Sequence, residues 1–317
     1  MALQVSRRAL LALAAAAPLA ACTAGGDRGA APATPSATPS PTPSPTPSPV
    51  PVDRTAQLSA LEAERGARLG VWALDTGSGR TVAHRADERF AHCSTVKVLV
   101  AGAVLQRRGL AGLDEVVAFG DADLVPHSPV AQERTATGMS LRELCDAALR
   151  VSDNTAANLL VRDLGGPQAL TAALRALGDA VTSVDRLEPE LNEAAPGDPR
   201  DTSTPRALGT DLQRLVLGDV LGAGERELLT RWLVESTTGA ALVRAGVPAG
   251  WQVGDRSGSG SSGTRNDVAL VRPPGASPLV VAVMSTHDDD PDAEPDDALV
   301  AGAAAVVVQA LTGTPAA

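Results

Sequence analysis

Three runs near the C-terminus decide the fold: Trp251-Gln252-Val253-Gly254-Asp255-Arg256, then Thr264-Arg265-Asn266-Asp267-Val268-Ala269-Leu270-Val271-Arg272, then Leu279-Val280-Val281-Ala282-Val283-Met284-Ser285. The three runs are joined by Gly- and Pro-rich turns and each reads as a strand. Ala298 to Leu311 then returns to a helical pattern. At the other end, Leu58 to Arg68 reads as an amphipathic helix. Leu69–Asp75 and Thr81–His84 read as strands joined by a turn at Thr76-Gly77-Ser78-Gly79. Between the two strand groups, from Ser94 to about Leu233, the periodicity is largely helical, and Ser140-Leu141-Arg142-Glu143 has the form of a capping box. The expected class is α+β: an antiparallel sheet built from both chain ends, flanked by helices, with an inserted all-helical lobe. A functional site belongs at the seam between the lobes.

The chain has 317 residues and divides unevenly. Arg7 and Arg8 precede an apolar stretch from Ala9 to Ala21, too short for a permanent membrane span, which wants roughly 20 apolar residues. Residues 1–22 therefore read as an export signal, of either the twin-arginine or the general secretory type. Leu19-Ala20-Ala21-Cys22 has the form of a lipobox that would lipidate Cys22; ordinary cleavage after a small-residue site would instead leave a secreted enzyme. Residues 23–52 read as a linker, with nine prolines between positions 31 and 52. Such a run favours extended polyproline II, and 22 residues of it would span roughly 70 Å. Residues 53–317 remain for one large domain or two interlocked lobes.

The formal net charge of −10 argues against nucleic acid as a partner. Aromatic residues are 2% of the chain and tyrosine is absent, so the core must be aliphatic and no tyrosine base is available. The four histidines, His84, His92, His127 and His287, have no metal-ligand spacing, and no metal or organic cofactor is implied. The acidic run Asp288 to Asp297 lacks the glycine of a calcium loop. Gly258-Ser259-Gly260-Ser261-Ser262-Gly263 matches a dinucleotide fingerprint on paper, but strand rather than helix follows it, so it reads as a hairpin turn.

Four short motifs carry chemistry. In Ser94-Thr95-Val96-Lys97 the lysine stands one helical turn beyond the serine, where an ammonium in a dry pocket gives up its proton more easily. Ser152-Asp153-Asn154 adds a hydroxyl and an amide, and also fits a helix cap. Glu188-Pro189-Glu190-Leu191-Asn192 offers a carboxylate and an amide that would jointly hold one water, with Glu188 as its general base. Arg256-Ser257-Gly258 offers an anion clamp. Nucleophile, proton relay, base and clamp are the inventory for acyl transfer through a serine ester and for its hydrolysis.

In order and spacing these motifs resemble the class A serine β-lactamases, over nearly all of residues 55–314. The resemblance implies that Ser94 attacks the lactam, Lys97 and Ser152 relay protons, and the backbone N–H groups of Ser94 and Ser259 form the oxyanion hole. It leaves Lys97 and Glu188 both open as the acylation base. Asn154 would bind the substrate's side-chain carbonyl, and Ser257 and Ser259 its carboxylate and carbonyl edge. Arg265 and Arg244 match positions that reinforce the anion site, or either is a plain salt-bridge partner. His127 stands where relatives often carry an aromatic that touches substrate, or is a solvent-exposed loop residue. Arg186 and Asp201 match the ion pair that closes an Ω-type loop around Glu188. Most relatives have lysine in place of Arg256; those with arginine are known for carboxypenicillins, and arginine's fork suits a carboxylate. Gly260 lies where carbapenem-active relatives carry a cysteine bridged to the position of Cys93, which points to a penicillinase profile and to Cys93 and Cys145 as free, buried thiols. The expectation is a monomeric, exported β-lactamase, tethered outside the membrane only through a lipid on Cys22 or else secreted, with a small-molecule β-lactam as its partner. A D,D-peptidase on the same fold, lacking the Glu188 water base, and a non-hydrolytic penicillin-sensing lipoprotein are the rival readings.

Overall fold

The computed structural model describes residues 49–315; the export segment, Cys22 and the linker as far as residue 48 lie outside the described residues. One correction to the expected boundary appears at once. Val50–Pro51 (β1) already belong to the sheet, pairing in parallel with the strand Arg80–His84, and Val52 packs on the core. The sheet therefore starts inside the segment read as linker. Proline is tolerated there because β1 is an edge strand.

The helix Thr55–Arg65 (α1) leads into strands Arg68–Asp75 (β2) and Arg80–His84 (β3). Helices then follow over Lys97–Gly112 (α2), Leu141–Arg150 (α3), Asn154–Leu164 (α4), Pro167–Leu177 (α5), Pro205–Val216 (α6) and Ala223–Val234 (α7). The chain returns to the sheet through Gln252–Ser259 (β4), Arg265–Arg272 (β5) and Leu279–Thr286 (β6), and closes with Asp297–Thr312 (α8). The spatial order is β1-β3-β2-β6-β5-β4, antiparallel throughout except for β1. The central strand β6, from the C-terminal group, pairs with β2, from the N-terminal group, as Val281↔Ala73 and Val283↔Val71.

Alternation along these strands feeds two cores. Val71, Ala73, Val281 and Val283 face α1 and α8, where they meet Leu58, Val300, Val307 and Val308. Trp72, Val280, Ala282 and Met284 face the opposite side and join the helical lobe, including Leu99, Leu144, Leu160 and Leu212. Because both faces are covered, β6 is buried along its whole length and shows no polar alternation. Each fully buried Leu, Val or Ile is worth about 1.5–3 kcal/mol, so these layers rather than ion pairs carry the stability.

Local signals set the helix ends near the seam. Ser140 and Glu143 satisfy each other's backbone N–H groups at the start of α3. Asp153 caps α4 by accepting from Ala156 N, while Pro167 and Pro205 open α5 and α6. Edge strand β4 meets the short turn Cys93–Val96 that precedes α2. Gly258 permits that approach: a Cβ there would lie 3.0 Å from Thr95 N and 3.1 Å from His92 O.

Candidate active site

Ser94 sits in the 3₁₀ turn Cys93–Val96, and Lys97 is the first residue of α2. The lysine stem runs into the seam and its ammonium is nearly inaccessible, with 1% exposure. Lys97 Nζ lies 2.9 Å from Ser152 O, 3.1 Å from Ser152 Oγ, 2.6 Å from Asn154 Oδ1 and 3.0 Å from Glu188 Oε1. Burial pulls its pKa down from 10.5 to about 8, with Glu188 opposing and Arg256 adding to the fall. Four oxygens around one nitrogen suit an ammonium, which has donors but no acceptor. Lys97 is thus charged at neutral pH.

Ser152 occupies the break between α3 and α4, with a left-handed φ of +61°. Its hydroxyl donates to Ser94 Oγ at 3.3 Å and accepts from Lys97, so the three form a continuous chain. Asp153 and Asn154 divide two duties that the sequence left as alternatives. Asp153 is the helix cap, and its second oxygen also holds Val130 N and Ala131 N at 2.9 Å. The Asn154 amide accepts from Lys97 and donates to Pro126 O at 2.9 Å.

Glu188 arrives on the long connection between α5 and α6. Arg186 Nε donates to Asp201 Oδ2 at 2.6 Å, and Asp201 Oδ1 accepts from the N–H groups of Asp185 and Arg186. That pair ties the segment's ends together, and the Glu188–Pro189 bond within it is cis. Asn158 of α4 fixes the middle: its Oδ1 accepts from Glu188 N and its Nδ2 donates to Glu188 O, both at 2.8 Å. Sequence reasoning missed Asn158, although an asparagine between Ala157 and Leu159 on a buried helix face was the available signal. Asn192 follows in the turn Glu190–Asn192 and donates through Nδ2 to Glu188 Oε2.

One expectation is corrected here. A single water was expected between Glu188 and the nucleophile, but Ser94 Oγ donates directly to Glu188 Oε1 at 3.1 Å. The Lys97 ammonium on that same oxygen accounts for the approach. Asn192 Oδ1, however, is buried with no hydrogen-bond partner among the described residues, leaving a polar acceptor beside the carboxylate.

The clamp is partly as expected. Arg256 is fully buried and donates through Nε to Ser94 O at 3.2 Å, through Nη1 to Thr238 Oγ1 at 2.9 Å and through Nη2 to Ser152 Oγ. Its pKa falls to about 10 through burial, against the pull of Glu188, Asp255 and Asp267, so it remains a cation. Ser257 Oγ donates to Thr238 Oγ1 at 2.8 Å. Arg265 donates to Asp297 Oδ1 at 2.6 Å and has Nη1 3.5 Å from Ser259 Oγ. Ser94, His127, Ser152, Asn154, Asn192, Arg256, Ser257, Ser259 and Arg265 all line one cleft of about 340 Å³, together with Thr238, which the sequence did not single out. His127 stands at its exposed edge with its ring 3.2 Å from Val151 O.

Arg244 is the second correction. It does not line the cleft; its fork grips Asp255 Oδ1 at 3.0 and 2.7 Å and donates to the carbonyls of Leu233 and Val234. A fully buried carboxylate at Asp255 requires a cation, and Arg244 is the one that reaches it. Cys93 and Cys145 are free and buried, and burial pushes both thiols up, which keeps them un-ionised.

A buried serine hydroxyl flanked by an ammonium, a second hydroxyl and a loop carboxylate, set between an α-helical lobe and a sheet, defines a serine acyl-transfer enzyme of the class A β-lactamase type. The family model described as the β-lactamase enzyme family matches residues 53–311. β-Lactamase AST-1 of Nocardia asteroides is 56% identical over 257 residues, covering 80% of this chain and 83% of its own. β-Lactamase FAR-1 of Nocardia farcinica is 52% identical and covers 96% of each chain. Among solved structures, a β-lactamase from Desulfarculus baarsii has a TM-score of 0.80 at 50% identity, covering 82% of this chain and 97% of that one. A class A β-lactamase from Clostridium kluyveri also has a TM-score of 0.80, at 46% identity, with 81% and 98% covered. The chain belongs to the β-lactamase enzyme family, and its activity is the hydrolysis of a β-lactam amide.

Proposed function

We propose that the enzyme is a penicillinase that opens the lactam through an ester on Ser94, with Glu188 as the base in both halves of the reaction. The observation that carries this is the direct contact of Ser94 Oγ with Glu188 Oε1, on a carboxylate also held by Lys97 and Asn192. With Lys97 an ammonium below about pH 8, Glu188 is the acceptor in line for the serine proton. Attack forms the Ser94–acyl bond, and the oxyanion faces the backbone N–H groups of Ser94 and Ser259. Collapse breaks the lactam C–N bond, and the nitrogen takes a proton from Lys97 through Ser152 Oγ. Glu188 then returns its proton to Lys97.

In the ester, Ser94 Oγ carries no hydrogen, so Glu188 Oε1 is released to accept from a water. The unpartnered Asn192 Oδ1 provides the second acceptor for that water. Glu188 takes one proton, the resulting hydroxide attacks the ester, and the departing Ser94 oxygen recovers the proton. The cycle closes with no net proton gained.

Arg256 and Ser257 would receive the ring carboxylate that all penicillins share, for which the guanidinium fork is suited. A preference for carboxypenicillins, which add a second carboxylate on the side chain, is inferred from the relatives that carry arginine at this position. The same reading places the enzyme outside the cell, as a monomer held by lipid on Cys22 through the proline-rich linker. Intact mass of the Glu188→Ala variant after penicillin addition tests the mechanism. The expected result is a penicillin adduct on Ser94 that persists, with turnover reduced about 10²–10⁴-fold. Turnover at the unmodified rate would remove Glu188 from the reaction. Arg256→Lys tests specificity: its rate with a carboxypenicillin should fall relative to benzylpenicillin, and an unchanged ratio would count against that preference.

A further inference from the structure

Thr238 lines the cleft, was not singled out in the sequence and has no part in the proposed cycle. It lies on the loop between α7 and β4, half-buried, and lines the cleft beside Ser257. The loop holds it firmly on both sides. Thr237 donates to Arg150 O through both its backbone N–H and its hydroxyl, each at 3.0 Å. Gly239 packs so closely on Asp255 Oδ2 that no Cβ could be accommodated. A hydroxyl fixed this way is a built feature rather than a mobile surface group.

Its hydrogen bonding is unusual. Thr238 Oγ1 accepts from Arg256 Nη1 at 2.9 Å and from Ser257 Oγ at 2.8 Å, which occupies both of its lone pairs. Among the described residues its own proton has only Ser236 Oγ, at 3.4 Å, a long contact for a hydroxyl pair. Ser257 Oγ in turn has Thr238 as its hydrogen-bond partner. Three donors, from Arg256, Ser257 and Thr238, thus meet at one point of the cleft wall with a single neutral oxygen between them. A carboxylate has about four lone-pair sites and attracts all three.

We propose that Thr238 is a further binding residue for the substrate's carboxylate. The Ser257 proton turns from Thr238 to the anion, and the weakly engaged Thr238 proton turns from Ser236 to the same anion. Arg256 stays aimed by Ser94 O and Ser152 Oγ, which hold it whether or not substrate is present. Thr238 thereby contributes a donor in the complex while serving as an acceptor in the free enzyme. The inference rests on the reading that Arg256 and Ser257 receive the carboxylate.

A hydroxyl lost at this position is replaced in the free enzyme by water from the open cleft, so Arg256 is not left unsolvated there. The loss is felt in the complex, where a donor to an anion is missing.

The test uses the full chain with benzylpenicillin and its methyl ester, which lacks the anion. For the unmodified enzyme, KM for the ester should exceed KM for the acid. Thr238→Val should raise KM for the acid about tenfold with kcat within about twofold, and leave the ester unchanged, so that the acid-to-ester preference shrinks. Thr238→Ser, which keeps the hydroxyl, should preserve the preference, and Thr238→Ala gives the same readout as valine if the branched side chain impairs folding. A valine or alanine variant that retains the full preference, or a serine variant that loses it, overturns the proposal. An unmodified enzyme with no preference for the acid overturns instead the underlying reading of Arg256 and Ser257.

Discussion

Lys97 Nζ and Glu188 Oε1 lie 3.0 Å apart with both side chains 1% exposed, so the site's cation and its base share one proton economy. Burial lowers the lysine to about 8, so the ammonium, the proposed proton source for the lactam nitrogen, is present below that pH and lost above it. The rate constant kcat/KM for a penicillin should therefore decline above about pH 8, with an apparent pKa that belongs to the pair. A pH–rate profile flat to pH 9.5 would contradict this.

Asp211 of α6 is buried against the Asp179 carboxylate, to which its protonated form donates, with Arg214 Nη1 at 3.4 Å. Burial and the Asp179 carboxylate push its pKa up to about 8, well above 3.8. The folded protein then holds a proton that the unfolded chain has released, so this contribution to stability is complete below pH 4 and lost as pH rises through 8. Asp211→Asn removes the ionisation. It should raise Tm by about 2–4 °C at pH 8 and by much less at pH 4.5. Equal effects at both pH values in calorimetry would refute the assignment.

Asn158 holds both backbone polar groups of Glu188. Replacing it with alanine leaves a buried N–H and C=O unpaired, at about 1–3 kcal/mol each. Thermal denaturation of Asn158→Ala should show Tm lowered by about 5–10 °C, accompanied by slower release of the Ser94 ester. Loss of stability with unaltered ester release would confine Asn158 to a structural role.

Gly260 faces Cys93 Sγ and Asn192 O, each 2.7 Å from where a Cβ would be. Gly260→Ala crowds the backbone carbonyl of Asn192 as well as the buried thiol, and a carbonyl cannot rotate away as a side chain does, so the backbone at one of the two positions shifts. Overpacking of this kind costs about 1–3 kcal/mol. Its signature should be a longer-lived penicillin adduct by stopped-flow mass measurement, if Asn192 holds the attacking water as proposed. A variant with unaltered adduct lifetime would show that Asn192 tolerates the shift.

Much of this was legible in the chain. The strands were read to within a few residues, with β4 running on from Arg256 to Ser259, because their apolar runs end at Gly and Pro. The Ser140 capping box was found because its two partners are three residues apart. Ser94 and Lys97 stand one helical turn apart in the chain, and Arg186 and Asp201 were assigned through the resemblance to the family's loop ion pair. Arg244 was not resolved, since its position suited both a substrate contact and a salt bridge; the partner that decides it, Asp255, lies on β4. Thr238 and Asn158 carried no motif, and Val50–Pro51 were hidden in proline-rich sequence.

The sequence alone determined which elements form and which chemical groups are available, because local periodicity, caps and short spacings act over a few residues. Only the tertiary structure decided which oxygen Glu188 offers to Ser94, which carboxylate Arg244 neutralises and which hydroxyl stands between Arg256 and Ser257. Those choices depend on desolvation and distance at a seam where residues far apart in the chain meet, and no local pattern encodes them.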